Sequence, residues 1–349
     1  MTGARKLLTN ALDAPVPAFS GAVVLMAVNG DIAVSECVGT IARWSDDVGT
    51  PWQNAAPVTT DTRFDLASLT KLATAATLLA ALAENGLTSG TRVTDFLSGP
   101  FADMTVHHLL SHTAGWPAEW LDHSPGTDAW DRFRSLPPQN APGEVYRYSC
   151  VGYIWAGLVI EALTGERLDT AMNRLLLAPL GMTSTTFAPA LDLLSTTAAT
   201  EVQPGRGLVH GVVHDETAWA LGAVTGNAGL FATAPDVMKL AEALRTGRDD
   251  LGITTEMTTD QLGHYPALRN RPAYGQALGP RVADHQWMGG LAATRAIGHT
   301  GFTGTSLVTQ HGGLRSLVFL SNRVHVSRHT SDLSTLRGRL ADNVMNIEG

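Results

Sequence analysis

The sequence predicts an α/β protein in which the two ends of the chain build a β-sheet and the middle is mainly helical. β-type runs occur before residue 40 and return after about residue 273, whereas apolar residues from about residue 68 to residue 250 mostly recur at helical spacing. We therefore expect a sheet domain of residues 1–75 and 265–349 and a mainly helical domain of residues 76–264. The 349 residues suffice for one large domain or two closely joined ones.

The N-terminal elements are a short helix and a hairpin. Residues 2–12 have the composition of a short helix. Two β-type runs, residues 21–27 and residues 32–38, flank Asn29-Gly30, which is a strong signal for a hairpin turn. A loop rich in Trp, Asp and Pro then leads to residue 68.

Apolar helices dominate the middle of the chain. Residues 72–84 are rich in Ala and Leu and carry no charge before their last position, which predicts a helix buried almost all round. Helical spacing returns in residues 151–163, where Gly165 marks the end, and in residues 234–246. Residues 188–217 are irregular and rich in Thr, Gly and Pro, so we expect them to border a cleft.

The C-terminal part returns to strands. Residues 305–309 and residues 314–320 are β-type and are joined by His311-Gly312-Gly313. A final helix is predicted near residues 331–345. Strands at both ends with helices between them are the basis of the fold prediction.

The first chemical motif is a serine and a lysine three positions apart. On a helix Ser68 and Lys71 share a face, so the lysine amine can reach the serine hydroxyl. Lys71 is one of only three lysines in the chain, and burial in the apolar helix that follows disfavours its charged form. A neutral amine can take the proton of a serine, which makes Ser68 a candidate nucleophile. The alternative is a chance Ser-x-x-Lys whose lysine reaches solvent from a core helix.

Two further segments supply companions to this motif in the expected order. In residues 146–153 a tyrosine-rich turn precedes an apolar helix, and Tyr148 is the candidate polar partner. Residues 297–304 contain His299-Thr300-Gly301 in a Gly-containing strand whose open edge can receive a substrate. Ser-x-x-Lys followed by two such elements is the pattern of β-lactamases and penicillin-binding proteins.

At these three segments the chain resembles the serine hydrolases related to class C β-lactamases, a penicillin-recognition group that includes D-alanyl-D-alanine carboxypeptidases, esterases and acyltransferases. The resemblance covers most of the chain, because residues 105–115, 179–182, 226–231 and 321–325 also follow the family's order. It implies a β-lactamase/transpeptidase-like fold. Such a fold has an antiparallel sheet domain with flanking helices, a helical insertion domain, and an active site at their junction.

Carried over to this chain, the resemblance implies roles for particular residues. Ser68 would be acylated, while Lys71 and Tyr148 would share the proton transfers. A phenol beside a cation ionises more readily, so Tyr148 could take the serine proton in acylation and return it to the leaving group. The backbone N–H groups of Ser68 and Phe302 are the expected oxyanion donors, each typically worth about 3 kcal/mol.

Two positions depart from the β-lactamase pattern. The third motif commonly begins with lysine, which helps to hold a substrate carboxylate, whereas His299 is expected to be neutral near pH 7. The second motif usually ends in asparagine, for which Cys150 is a weak hydrogen-bonding substitute. The expected substrate-binding residues are Cys150, His299, Thr300 and Gly301. The alternatives are a histidine that only hydrogen-bonds at the cleft edge and a cysteine that is a small buried apolar residue.

Other interpretations explain less of the sequence. A Cys150 nucleophile with His299 as its base leaves Lys71 and Tyr148 without a role. Residues 213–216 contain metal-binding residue types, but adjacent positions do not share a face and no second cluster has ligand spacing, so no metal is expected. The chain has neither a dinucleotide-binding loop nor an α/β-hydrolase elbow, and no cofactor is implied.

Composition excludes several classes of protein. With 44% apolar residues and 35 glycines, the chain is typical of globular proteins. A net charge of -8 without a basic run argues against a nucleic-acid partner, and Cys37 and Cys150 cannot form a disulfide framework. Polar residues interrupt the N-terminal segment before it forms a signal peptide, and no apolar run is long enough to span a membrane. The expected location is the cytoplasm, with no membrane partner.

The predicted function is acyl transfer through a Ser68 acyl-enzyme. The acyl donor would be an ester or amide of a small metabolite, and the acyl group would pass to water or, in a transacylase, to an amine or alcohol acceptor. One alternative is a penicillin-recognition sensor with little turnover. Another, a β-lactamase or D-alanyl-D-alanine carboxypeptidase proper, is disfavoured by the expected location and by His299.

Overall fold

The computed structural model describes residues 2–124, 126–325, 327–329 and 332–348. Its strands are β1 (Gly21–Val28), β2 (Asp31–Gly39), β3 (Phe64–Asp65), β4 (Val202–Gln203), β5 (Gly207–Leu208), β6 (Phe231–Ala232), β7 (Gly275–Gln276), β8 (Arg281–Val282), β9 (Ala296–Thr300), β10 (Ser306–Gln310) and β11 (Arg315–Ser321). Its helices are α1 (Gly3–Leu12), α2 (Thr70–Glu84), α3 (Val106–Leu110), α4 (Ala129–Arg134), α5 (Cys150–Thr164), α6 (Leu168–Met172), α7 (Glu216–Ala220), α8 (Ala234–Thr246) and α9 (Ser334–Met345).

An antiparallel sheet forms the centre of the fold, with seven strands within the described residues in the order β2, β1, β11, β10, β9, β8, β7. The N-terminal strand β1 pairs with the C-terminal strand β11 along its length, from Ala22 opposite Ser321 to Val28 opposite Arg315. The prediction of a sheet built from both ends of the chain is therefore confirmed. The hairpin at Asn29-Gly30 joins β1 to β2, as predicted.

Alternate residues of β1 face two different cores, because side chains alternate across a strand. Ala22, Val24 and Met26 pack in a cluster with α1 and α9. Val23 and Leu25 pack on the other face, in the cluster that contains α2 and α8. A strand covered on both faces needs apolar residues at successive positions, which explains why β1 is a continuous apolar run.

Helix α2 is the axis of the helical part. Each residue from Thr70 to Leu82 is buried, as its Ala- and Leu-rich sequence predicts. The helix packs against α5, which ends at Gly165 in the left-handed conformation (φ 69°) that glycine adopts without strain. The turn before α2, Ala67–Leu69, contacts β9. The start of α2 therefore lies where the helical part meets the sheet.

The remaining predictions concern the final helix, the domain boundaries and the lack of a membrane span. The final helix, predicted near residues 331–345, is α9, which begins at Ser334, and position 331 lies outside the described residues. The domain boundaries, residues 1–75 with 265–349 and residues 76–264, stay a prediction, and positions 1 and 349 are also outside the described residues. Among the described helices, none has the length and apolar character needed to cross a membrane.

Candidate active site

Ser68 and Lys71 come together at the start of α2. Ser68 lies in the turn that leads into the helix, and Lys71 is in the first turn of the helix itself. The Lys71 amine donates a hydrogen bond to the Ser68 hydroxyl at 3.0 Å. Lys71 is 0% exposed, which excludes the alternative of a lysine that reaches solvent from a core helix.

The turn that carries Ser68 has an unusual backbone. Ala67 has a φ of 46°, a left-handed value that is uncommon for residues other than glycine. The buried Asp65 carboxylate holds this turn, because one oxygen accepts a hydrogen bond from the Ala67 N–H at 2.8 Å and the other accepts one from the His214 N–H at 2.7 Å. Left-handed residues held in this way cluster at functional sites. Here the carboxylate fixes the position of the serine.

The Lys71 amine has two further partners. It donates to the Asn227 carbonyl oxygen at 2.9 Å and to the Cys150 sulfur at 3.4 Å. An ammonium group has three N–H donors, and the Tyr148 hydroxyl is a further hydrogen-bond partner within its reach. Asn227 lies in residues 226–231, one of the segments on which the resemblance rests, but a backbone carbonyl partner leaves no residue-type signal. The sequence therefore gives no indication of this contact.

The charge on Lys71 differs from the sequence-based expectation. Burial lowers the pKa of the amine, but the negative charge that Cys150 and Tyr148 can carry raises it, and the net pKa lies above its ordinary value. The expectation of a neutral amine took account of burial alone, whereas the raised pKa favours the charged form. Lys71 is a buried cation, and its field acts on the groups around it.

Tyr148 lies within the field of this cation. Its ring centroid is 5.1 Å from the Lys71 Nζ and 4.5 Å from the ring centroid of His112. Burial raises the pKa of the Tyr148 phenol above its ordinary value, while the Lys71 charge and hydrogen bonding to Ser68 oppose that rise. The phenol is therefore protonated in the resting site, next to a cation that favours its ionised form.

The end of β9 forms another wall of the site. Strand β8 pairs with β9 only at Ile297 and Gly298, so the β9 edge beyond Gly298 has no strand partner on that side within the described residues. His299, Thr300 and Gly301 follow at this open edge and line a cavity. Unpaired strand edges offer backbone groups to a ligand. The three residues therefore share a cavity with Ser68, and their contact with a substrate stays a prediction.

Gly301 lets the end of β9 approach the serine turn closely. A side-chain carbon at this position would lie 2.5 Å from the Leu66 carbonyl oxygen and would also meet the Thr305 hydroxyl. The hydroxyls of Thr303 and Thr305 donate to the carbonyl oxygens of Asp65 at 2.6 Å and Leu66 at 3.0 Å. These contacts fix the strand end against the turn that carries the serine.

Phe302 follows Gly301 at the rim of the cavity, and its side chain is 50% exposed. The Phe302 ring centroid lies 5.6 Å from the His214 ring centroid. It also lies 5.0 Å from the Arg323 guanidinium carbon and 5.7 Å from that of Arg328. The side chain thus contributes to the cavity wall. The role of its backbone N–H as an oxyanion donor stays a prediction.

Arg281 is a cavity residue that no sequence signal identifies. Its guanidinium carbon lies 4.7 Å from the Tyr274 ring centroid and 5.8 Å from that of Tyr148, and it pairs with the buried Asp284 at 3.0 Å. Strand β8, which carries it, is two residues long, so no alternation marks it as a strand. Arg281 places a fixed positive charge beside the candidate active site.

The cavity has a volume of about 590 Å³, within the range of small-molecule sites. Ser68, Tyr148, Cys150 and His299 are among its lining residues. Charged residues of both signs also line it: Glu119, Asp215, Glu216, Arg281, Arg323, Arg328, Asp332 and Arg337. The cavity therefore joins the candidate nucleophile to a polar binding surface.

Residues 213–216 make hydrogen bonds beside this cavity. The His214 Nε2 lies 2.9 Å from the buried Glu201 carboxylate, and Asp215 caps α7 by accepting a hydrogen bond from the Ala218 N–H at 2.7 Å. Within the described parts of the chain, no three His, Cys, Asp or Glu residues are grouped so as to hold a metal. Because residues 214–217 line the cavity, the irregular segment borders it as expected.

Known sequences resemble this chain over most of its length. A family model described as Beta-lactamase matches residues 9–339. A protein of Escherichia coli strain K12 named "Putative D-alanyl-D-alanine carboxypeptidase" is 30% identical over 309 residues, which cover 76% of this chain and 70% of the relative. The protein of that name from Salmonella enteritidis is 27% identical over 357 residues, which cover 91% of this chain and 81% of the relative.

Solved structures share the fold over almost the whole chain. A class C β-lactamase is 17% identical with a TM-score of 0.76, covering 99% of this chain and 96% of its own. EstCE1, described as a hydrolase with promiscuous acyltransferase activity, is 22% identical with a TM-score of 0.71, covering 98% and 97%. Simvastatin synthase of Aspergillus terreus, in a mutant form, is 18% identical with a TM-score of 0.72, covering 98% and 93%. At these identities the likeness concerns the fold.

Proposed function

The chain belongs to the β-lactamase family of serine hydrolases, and from that premise we propose that it transfers acyl groups through an ester formed on Ser68. The observation that carries the proposal is the 3.0 Å hydrogen bond between the Ser68 hydroxyl and the fully buried Lys71 amine. Tyr148 and Cys150 lie around the same amine. A buried lysine that contacts a serine at a cavity wall is a costly arrangement, and nucleophilic catalysis accounts for it.

Acylation would begin with attack of the Ser68 oxygen on the carbonyl carbon of the acyl donor. The reactive molecules are the minor fraction in which Tyr148 is ionised and stabilised by the Lys71 cation, and in these the serine proton passes to the Tyr148 oxygen. The backbone N–H groups of Ser68 and Phe302 would stabilise the charge on the carbonyl oxygen. As the bond to the leaving group breaks, Tyr148 returns the proton to that group.

The acyl group would then pass to a second molecule. Water, an alcohol or an amine attacks the ester carbonyl and gives its proton to Tyr148. The Ser68 oxygen then leaves and takes that proton from Tyr148, which restores the starting state. The acceptor decides whether the reaction is hydrolysis or transacylation. We propose an ester or amide of a small metabolite as the acyl donor, because the polar cavity of about 590 Å³ suits a small molecule. The name of EstCE1 as a hydrolase with acyltransferase activity supports both outcomes.

The direct test is intact-mass analysis after mixing with an activated ester such as p-nitrophenyl acetate. We expect one acetyl group on the wild-type protein, assigned to Ser68 by peptide mapping, and none on Ser68→Ala. Ser35→Ala, at an exposed strand serine, is the matched control and should behave as wild type. Absence of an adduct on the wild-type serine would overturn the proposal.

The role of Lys71 in proton transfer can be tested against a matched control lysine. Lys71→Ala should lose nearly all turnover, because it removes the cation that favours the Tyr148 phenolate. Lys6→Ala removes an exposed lysine and should leave turnover at the wild-type level. Retained activity in Lys71→Ala would contradict the proton-transfer scheme while leaving Ser68 acylation open to the mass measurement.

Added amines or alcohols distinguish hydrolysis from transacylation. If the protein is a transacylase, the acylated amine or alcohol should appear at the expense of the free acid, in proportion to the acceptor concentration. If it is a hydrolase, the acid should remain the only product. A sensor, the alternative without turnover, would release one equivalent of p-nitrophenol and then stop.

A second candidate function is a D-alanyl-D-alanine carboxypeptidase. The relatives from Escherichia coli and Salmonella bear this name in their descriptions. The sequence disfavours it because His299 supplies no cation for a peptide carboxylate, but Arg281 brings a guanidinium to the same cavity. Release of D-alanine from a peptide ending in D-Ala-D-Ala, faster than ester cleavage and lost in Arg281→Gln, would favour this function. Efficient nitrocefin hydrolysis would favour a β-lactamase.

The cytoplasmic location stays a prediction, as do the acyl donor and acceptor as partners. The expected lack of nucleic-acid and membrane partners also stays a prediction.

A further inference from the structure

The His299 imidazole has a defined proton position. Its Nδ1 lies 2.8 Å from the Thr300 carbonyl oxygen. A carbonyl oxygen can only accept a hydrogen bond, so Nδ1 must carry the proton and donate it. The second ring nitrogen, Nε2, is then the one whose state depends on the charge of the ring.

The ring is neutral, which leaves Nε2 with a free lone pair. Burial together with the nearby Arg281 and Lys71 cations lowers the pKa of His299 well below its ordinary value. His299 is 1% exposed. Its Nε2 is buried and has no hydrogen-bond partner among the described residues. The structure therefore holds a bare acceptor at the end of β9.

Buried acceptors without a partner are rare in folded proteins, because an unpaired one loses its hydrogen bonds to water without replacement. The His299 acceptor is placed to meet a ligand, since His299 lines the cavity and its ring centroid lies 5.8 Å from that of Tyr148.

His112 is a buried histidine with the opposite proton position. Its Nδ1 accepts a hydrogen bond from the Ser149 N–H at 3.1 Å, so its proton is on Nε2, and it is not among the described residues that line the cavity. Of these two buried histidines, His299 is the one that offers an acceptor to a ligand.

We propose that His299 determines specificity by accepting, at Nε2, a hydrogen bond from a hydroxyl or N–H group of the bound reactant. This inference rests on the proposed acyl transfer at Ser68. The donating group has two sources: the acyl donor itself, or the alcohol or amine that accepts the acyl group. A substrate carboxylate is disfavoured at this point, because the lone pair of Nε2 would face a lone pair of the carboxylate oxygen. The lysine that is usual at this position in the family would attract a carboxylate.

The test compares two esters that differ in one group. One carries a hydroxyl on the acyl side near the scissile carbonyl, and the other carries the methyl ether of that hydroxyl. We expect the wild-type kcat/KM to favour the hydroxyl ester by about 10-fold to 100-fold, because the ether leaves Nε2 unpaired. A second pair tests the molecule that accepts the acyl group: a diol and its mono-O-methyl ether, which keeps one hydroxyl. If the enzyme discriminates only between these two, the group that hydrogen-bonds to Nε2 belongs to the acyl acceptor.

The variants assign any preference to the imidazole. His299→Leu should bring the preferred pair to a ratio near one, His299→Gln should keep part of the preference because its amide oxygen can accept, and His299→Lys should favour a carboxylate-bearing ester. His285→Leu, at an exposed histidine, is the control. Ratios near one for both pairs in the wild type, or equal ratios in wild type and His299→Leu, would overturn the inference.

Failure of the inference and failure of the proposed function remain distinguishable. The same hydroxyl and ether pairs can be titrated into Ser68→Ala by calorimetry, where no acylation takes place. If the wild type forms no adduct on Ser68 but the variant binds hydroxyl compounds more tightly than ethers, the acyl-transfer proposal fails and the acceptor role of His299 stands. If the adduct forms and neither binding nor kcat/KM discriminates, the inference fails alone.

Discussion

The Cys150 sulfur lies 3.4 Å from the Lys71 amine nitrogen and accepts a hydrogen bond from it. Burial raises the pKa of the Cys150 thiol, whereas the Lys71 cation lowers it. The thiol therefore does more than fill a buried space, because it contacts the amine and lines the cavity. Cys150 therefore links the charge state of Lys71 to the part of the cavity wall where a substrate would bind.

Replacing Cys150 should change substrate preference. In Cys150→Asn the amide can donate to a substrate carbonyl and accept from Lys71, so we expect the ratio of amide to ester kcat/KM to rise about tenfold. Paired assays with an anilide and an ester of the same acid measure this ratio. Cys37→Ser changes the other cysteine, in β2, and should leave the ratio unchanged. An unchanged ratio in Cys150→Asn would return Cys150 to a packing role.

Removing the Tyr148 hydroxyl should slow turnover. Tyr148→Phe loses the proposed base, and we expect kcat to fall by a factor on the order of 10² to 10⁴. Tyr146→Phe is the control, since the Tyr146 hydroxyl donates to Gln276 at 3.0 Å and Tyr146 is not among the described residues that line the cavity. It should cost about 1 kcal/mol of unfolding free energy and little activity. Similar losses of kcat in both variants would contradict the base assignment.

The pH dependence of kcat/KM should report the Tyr148 phenol. Because its pKa is raised above the ordinary value, the phenolate is the minor form at neutral pH. Activity should therefore rise by about tenfold per pH unit through the neutral and mildly alkaline range. His299 adds no opposing limb there, since its pKa is lowered and it is already neutral. A flat profile, or an identical slope in Tyr148→Phe, would show that another group supplies the base.

Adding one carbon at Gly301 should separate β9 from the serine turn. The methyl group that Gly301→Ala introduces would press on the Leu66 carbonyl oxygen, which belongs to the backbone and cannot rotate away. We expect about 1–3 kcal/mol of destabilisation and a loss of kcat/KM of about 100-fold. Gly263→Ala, where the added carbon meets no atom within 4 Å, is the matched control. Thermal unfolding and ester assays on both variants check this, and wild-type behaviour of Gly301→Ala would disprove the close approach.

Local sequence patterns predict most of the fold. The apolar run of β1, the Asn29-Gly30 turn and the end of α5 at Gly165 each follow from short-range preferences, and the structure has them where they are expected. Ser68 and Lys71 are also predictable, because three-residue spacing on a helix brings them together without help from the rest of the chain. The grouping of Tyr148 with them comes from the family resemblance.

The rest of the site depends on contacts that residue spacing does not encode. The carbonyl oxygen of Asn227 reaches the Lys71 amine from a loop, and the cation of Arg281 reaches the cavity from a two-residue strand. The charge of Lys71 is a further example. Burial lowers the pKa of its amine and acidic neighbours raise it, and these neighbours come together only in the folded chain. Tertiary electrostatics, rather than local propensity, decides these features.

The pairing of β1 with β11 has a consequence during synthesis on the ribosome. Val24, in β1, leaves the exit tunnel early, yet its partner Phe319 is translated only after almost the entire chain has been made. Such distant pairing forms slowly, and until then a fully apolar strand is exposed to other nascent chains. Closure of the central sheet therefore has to wait for the C-terminal strands, and until then β1 lacks its partner on the β11 side.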